Sequence, residues 1–425
     1  MSFLNEVKNL HNIVRKGIRD SSLSLRMTLP RLFTKPSLFI LTISTTLFAS
    51  PDWSGVDWFG YYEGEADYGK LPGKSMYFGY NKLRLDMDTS PSDNIRIGAN
   101  IIYKQFNGQT ELNFMDFIDQ KYWPVIPLQD GSGSTILTKL PYHLQDTLYI
   151  DNMFLEFHHK LFDLTLGKQQ IAPGVGYAWN PTDIFNIKDI MDPTYEQTGI
   201  SAVKLSIPLA GRITLSGVLR PKQSWDETTQ YYQLKTGIGQ YDLSLLYGRS
   251  QLIQSGLFGK TVQPRDLYGF NLEGELFGAG IRSEVAAHRL NYDNDNLQYE
   301  YVIGGDYTFK NSLYLLTEYY HNDLGSPADK TVFDDYLVYF AGERRSLNQN
   351  YLFALAMYPL GDLLDVSIFG IANLDDKSAV IAPQLIYRIF QDVELSLMGS
   401  LFTGKDTDEF GYQKFGGRVR LRAYF

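Results

Sequence analysis

The chain has 425 residues with 30 Tyr and 26 Phe against 5 Trp, 37 Gly and no Cys, and carries a formal net charge of −9. A mean hydropathy of −0.22 and the lack of any run of about 18 apolar residues exclude a helical membrane protein. The missing cysteines suit an oxidising compartment, where an unpaired thiol is a liability.

The first fifty residues differ from the rest. Leu38 to Leu47 is apolar but too short to span a bilayer; Arg31 and Lys35 precede it and Leu47-Phe48-Ala49 follows. That is the layout of a secretory signal peptide cut after Ala49. Residues 1–49 are therefore read as leader and signal, with Met27 a candidate first residue. Residues 1–50 hold seven basic and two acidic side chains, so removing them takes the net charge from −9 to −14. That balance excludes nucleic acid as a partner.

From Trp53 onward no helical period is sustained, and alternating segments recur. The spacing predicts strands over 58–68, 76–88 and 94–106, then a long polar loop to about Asp146. Further strands follow over 147–158, 162–169, 200–209, 211–220, 231–238, 240–249, 266–277, 280–290, 298–309 and 312–321. After a loop to Asn348 come 350–359, 364–373, 379–390, 393–402 and a last strand ending at Phe425. Short turns and longer loops alternate along the chain. The count is eighteen, to within two, with side chains facing two ways by turns. One set is apolar (Ile213, Leu215 and Leu219; Tyr268, Phe270 and Leu272; Leu395, Leu397 and Leu401), and its neighbours are polar. An even strand number with short turns at one end and long loops at the other predicts an all-β, antiparallel up-and-down transmembrane barrel over residues 50–425. Barrels of about 16 to 18 strands enclose an aqueous channel.

The closing stretch QKFGGRVRLRAYF places Val419, Leu421, Ala423 and Phe425 on one face and Arg418, Arg420 and Arg422 on the other. It resembles the last strand of bacterial outer-membrane β-barrels, whose terminal Phe is read by the assembly machinery. The resemblance implies a Gram-negative outer-membrane location after export through the periplasm. Its partners would be outer-membrane lipid and lipopolysaccharide, the barrel-assembly machinery and small solutes, and a homotrimer is compatible with it.

With the polar face turned inward, the lumen acquires a charge map. Its predicted basic residues are Lys82, Arg84, Arg96, Lys104, Lys204, Arg212, Arg220, Lys235, Arg418, Arg420 and Arg422. The acidic ones are Glu63, Glu65, Asp67, Glu273, Glu275, Glu284, Glu300, Asp306 and Glu318. Opposed walls of this kind set up a transverse field. Closure, however, brings the first strand beside the last, so Glu63, Glu65 and Asp67 are expected to face Arg418, Arg420 and Arg422 as cross-strand pairs.

Residues 170–198 break the alternation and are rich in Gly, Pro, Asp and aromatics. Loops of this length are usually functional or disordered, and the plain alternative is an ordered surface cap packed on the rim. The order G-K-Q…G-x-G-Y-x-W-N-P-T-D resembles one in porin-like families, and the segment resembles the inward-folded loop that narrows general porins. That resemblance implies a constriction loop with Tyr177, Trp179, Asp183, Lys188, Asp189, Asp192 and Glu196 as its members. No serine elbow or carboxylate dyad accompanies the histidines, and His288 reads as a water-solvated lumen residue near Glu284. Asp293-Asn294-Asp295 lacks the Gly and terminal Glu of a calcium loop and reads as a turn. The chain therefore reads as a porin without enzymatic activity, cofactor or metal, passing small hydrophilic solutes. The alternative is a porin-like sheath enclosing a partner such as a multihaem cytochrome.

Overall fold

A computed structural model describes residues 55–127, 133–290 and 296–425. The leader and signal, and the turn at Asp293-Asn294-Asp295, lie outside the described residues. Eighteen strands form one sheet. They are β1 (Val56–Leu71), β2 (Lys74–Ser92), β3 (Ile95–Gly108), β4 (Thr147–His159), β5 (Phe162–Gln169) and β6 (Ile200–Ala210). Next come β7 (Ile213–Arg220), β8 (Thr229–Ile238), β9 (Tyr241–Gly256), β10 (Gly259–Leu276), β11 (Ala279–Leu290) and β12 (Leu297–Thr308). The last six are β13 (Tyr314–Asn322), β14 (Asn350–Pro359), β15 (Leu364–Asn373), β16 (Ser378–Phe390), β17 (Val393–Thr403) and β18 (Phe415–Tyr424). Each pairs antiparallel with its sequence neighbours.

The ring closes because β18 also pairs with β1, from Tyr61↔Tyr424 to Lys70↔Phe415. Closure leaves no unpaired edge. At the seam Glu63 stands opposite Arg422, Glu65 opposite Arg420 and Asp67 opposite Arg418. The three acids and three arginines meet as the alternation requires.

Outward positions are apolar and exposed, among them Ile213, Leu215, Tyr268, Phe270, Leu397 and Leu401. Three features depart from the sequence reading. The loop-length rule is looser than expected: β1 and β2 join through Pro72-Gly73, and β9 and β10 through Leu257-Phe258, both at the long-loop end. The region 250–265 is thus a projecting hairpin and not a loop. A short helix, α1 (Phe333–Phe340), sits in the segment between β13 and β14; its eight residues are too few for a helical period to stand out. Finally, much of the inner face of β12 to β17 is apolar. Val302, Leu316, Tyr320, Tyr351, Phe353, Phe369, Ile371, Val380, Ala382 and Met398 all join one buried cluster.

At the long-loop end, α1 packs with Phe114, Met115, Phe117 and Ile118 of the β3–β4 connection, and with Tyr142 and Leu144. Leu257 at the β9–β10 tip lies against the same cluster. These elements form an apolar cap over that end of the barrel.

Candidate functional site

The segment between β5 and β6 crosses the inside of the barrel, and three sectors of the wall hold it. The first sector is apolar. Ile171, Ile184 and Phe185 pack on Ala202, Val218, Tyr231 and Leu246 of β6 to β9.

The second sector grips the backbone. Glu284 on β11 is fully buried, and its Oε1 accepts from the amides of Val175 at 2.5 Å and Gly176 at 2.6 Å. Its Oε2 accepts from Thr182 N at 3.1 Å and Thr182 Oγ1 at 2.8 Å. Glu318 on β13 takes the Tyr177 and Ala178 amides at 2.5 and 2.8 Å. Successive N–H groups curled round a carboxylate form an anion nest, here filled by the protein's own side chains. The Gly-x-Gly spacing is what permits it: a Cβ on Gly174 would lie 2.7 Å from Glu284 Oε1, and one on Gly176 only 2.0 Å from Trp179 O. Lys188 Nζ donates back to the carbonyls of Gly176 and Tyr177 at 2.7 and 3.0 Å. Burial holds this lysine below its ordinary value, against the pull of Glu284 and Glu318. Beyond the nest, the Trp179 ring stacks on Tyr320 with centroids 4.9 Å apart and planes within 6°. Met191 and Ile190 complete the contact with the apolar wall.

The third sector is ionic. Asp192 bridges Arg418 at 3.2 Å and Arg420 at 2.8 Å, while those arginines also hold Asp67 at 3.2 Å and Glu65 at 2.6 Å. Glu196 receives Lys82 at 3.2 Å, Arg84 at 2.9 Å and the Tyr61 hydroxyl at 2.7 Å. Burial pushes the Glu196 carboxyl up, but Lys82, Tyr61 and Arg84 together hold it below the usual carboxylate range. Tyr195 donates to Glu63 at 2.9 Å. The far end of the segment is fixed where β4 carries a bulge. Asn100 faces Asn152 and Ile101 faces Ile150, leaving Asp151 as the extra residue. The bulge turns Asp151 and Asn152 both inward, and Asp151 accepts from Gly199 N at 3.2 Å.

A cavity of about 830 Å³ remains beside the segment. Of the basic residues expected in the lumen, Lys82, Lys104, Arg418 and Arg420 line it. From the segment, Lys188, Asp189, Asp192 and Glu196 line it, with Tyr195 between them. Tyr177, Trp179 and Asp183 do not; they are turned into the wall. Asp183 caps Phe185 N and Asn186 N at 2.8 and 3.0 Å, and Arg345 donates to its carbonyl. Burial raises the Asp183 carboxyl to about 6.

Several charges sit elsewhere and are locally matched. Arg84 lies on Asp86, Arg96 on Asp88 and Glu156, and both Arg212 and Lys235 on Asp242. Arg282 pairs with Asp306. The expected separation into a basic and an acidic wall is therefore interrupted by aspartates, Asp86 among them, that share the inward parity of their basic neighbours. Glu273 and Glu275 are exposed towards the short-turn end of β10, and Lys204 and Arg220 project inward from β6 and β7. Glu300 pairs with Arg345 at 3.0 Å. His288 is corrected: it is wholly buried and not solvated by water, and its Nε2 lies 3.4 Å from Glu300.

No family model and no curated protein matches the chain. Solved structures do. OccK11 (OpdR) of Pseudomonas aeruginosa superposes with a TM-score of 0.52 at 9% identity, covering 87% of this chain and 96% of that one. OccAB4 of Acinetobacter baumannii gives 0.52 at 10%, covering 88% and 98%, and OccK5 (OpdH) of P. aeruginosa 0.51 at 10%, covering 87% and 98%. The chain has the fold of an outer-membrane porin-like β-barrel.

Proposed function

We propose that the protein is an outer-membrane porin, a passive water-filled route for small hydrophilic solutes, with residues 170–198 as its constriction. The observation that carries this reading is the seating of that segment. It is stitched to opposite sides of the ring, to β11 and β13 on one side and to β1, β2 and β18 on the other, and a polar cavity is left beside it. A segment that merely covered the rim would have no need of buried carboxylates aimed at its backbone. A sheath would need a clear lumen for its guest, and residues 170–198 occupy that space. Outward apolar residues then face lipid, and the short-turn end faces the periplasm.

Planar-bilayer recording of the purified protein tests the proposal. Steady ohmic steps are expected, and deletion of Pro173 to Thr194 should enlarge them. A silent barrel that co-purifies with a haem protein would favour the sheath; unchanged steps after the deletion would remove residues 170–198 from the permeation path.

A further inference from the structure

We infer that the cavity beside the 170–198 segment selects cationic solutes, small compounds bearing an ammonium or guanidinium group. The inference rests on the pore reading above and follows from which charges there are already spent. Lys82, Arg418 and Arg420 each lie on carboxylates, whereas Lys188, on two carbonyl oxygens, keeps its charge. Lys104 is laid over the Tyr80 ring, its Nζ 3.7 Å from the centroid.

The acids divide differently. Asp192 and Glu196 are in ion pairs, but among the described residues Asp146, Asp151 and Asp189 are not, and all three line the cavity. Each spends one oxygen on a backbone amide: Asp146 on Phe106 N at 2.9 Å, Asp151 on Gly199 N at 3.2 Å and Asp189 on Met191 N at 3.0 Å. Asp151 takes one further donor, the Asn152 amide at 3.2 Å. Asp189 is only 7% exposed, and its Oδ2 has no hydrogen-bond partner among the described residues. An amide donor leaves a carboxylate's full charge in place. Set against the charges of Lys104 and Lys188, three such carboxylates leave the wall of this narrow polar space one charge negative, a local field that attracts cations and repels anions.

The test is the reversal potential of the detergent-purified protein in a bilayer under a potassium chloride gradient. Potassium should permeate in preference to chloride. Asp189→Asn and Asp151→Asn keep an acceptor for the same amide, and each should lower the cation-to-anion ratio about sevenfold, since one unit charge at roughly 7 Å through water favours the cation about threefold and disfavours the anion by the same factor. Liposome swelling with the unaltered protein gives a second readout that needs no variant: arginine should enter faster than glutamate. A channel that conducts but prefers chloride, or whose ratio both variants leave unmoved, overturns the inference while the pore stands. A protein that neither conducts nor supports swelling overturns the pore reading, and this inference with it.

Discussion

Two stretches of the inner wall hold the same crossing segment by different physics. On β1, β2 and β18 the contacts are ionic: six carboxylates and five basic groups interleave around Asp192 and Glu196. On β12 to β17 they are mainly apolar, with Trp179 laid flat on Tyr320 and Met191 among Phe and Ile side chains, and Glu318 adding two bonds to backbone amides. Apolar contact fixes position through close packing, and it is indifferent to salt. A half-wet ionic network bends and screens, and its members are shared with the barrel seam, so the segment contributes only part of it. The lesson is that one side serves as the anchor and the other as the adjustable rim. The cavity lies against the ionic side, where the wall can also meet water and solute.

The sharpest way to break this contrast is Trp179→Ala. Loss of a buried Trp costs about 3–5 kcal/mol, and here the loss falls on attachment of residues 170–198, since β-ladder bonds close the barrel without it. Limited proteolysis of that segment should accelerate by orders of magnitude, while the barrel keeps its heat-resistant mobility on a gel. Unchanged proteolysis would show that the apolar wall is not the anchor.

Glu284→Ala comes next. It leaves the Val175, Gly176 and Thr182 amides without their acceptor, at about 1–3 kcal/mol for each buried donor that water does not reach. Glu284→Gln keeps one acceptor oxygen but sets an amide against N–H donors, and should lose less. Channel noise resolves the order: flickering steps for Ala, fewer for Gln, none for the wild type. Equal traces for all three would show the nest to be dispensable.

The contrast also explains which parts were legible in the sequence. Where one face of a strand is charged and the other apolar, as in Arg418 to Phe425, parity alone gives strand, facing and closure partner. In β14, Asn350–Pro359 reads NYLFALAMYP, and parity has nothing to separate: Phe353 faces inward and Leu352 outward, yet either would suit lipid. The apolar wall was invisible for that reason. Glu284 and Glu318 were placed on the inner face, but a carboxylate looks the same in sequence whether it meets a solute or the backbone of a segment more than a hundred residues away. The Gly-x-Gly element is legible as a motif; only its partner, Glu284, supplies the reason for it. Asp86 shared the inward face of Lys82 and Arg84, and counting it beside them would have revealed the local pairing.

A further titratable group lies against the apolar wall. Glu409, between β17 and β18, accepts from Tyr351 at 2.6 Å and Asn373 at 2.8 Å, and its own amide donates to Asp376 at 2.8 Å. Burial, with Asp376 beside it and no cation in contact among the described residues, raises its carboxyl to about 8. A raised value means the packed form holds the proton more tightly. Its contribution is therefore whole below the ordinary carboxylate value and lost as pH rises through about 8. Proteolysis of residues 404–414 should quicken from about pH 5 to about pH 8 in the wild type and level off above that, and stay flat throughout in Glu409→Gln. A wild-type profile as flat as the variant's would show that this carboxyl does not titrate there.

The smallest effect is expected on the ionic side. Asp192→Asn removes one partner from Arg418 and Arg420, but Asp67 and Glu65 remain on them, so no buried arginine is left bare. With Asp192 partly open to solvent, the change should cost about 1 kcal/mol or less. Its signature lies in salt dependence. Raising ionic strength from about 0.1 to 1 M shortens the screening length from about 10 to 3 Å, which should loosen the ionic rim of the wild type and shift its conductance away from proportionality with salt. Asp192→Asn should follow bulk conductivity more closely, and Trp179→Ala should keep the wild-type deviation. If Asp192→Asn instead destabilised the barrel as strongly as Trp179→Ala loosens the segment, the ionic side would be an anchor in its own right, and the division between a fixed wall and an adjustable one would fail.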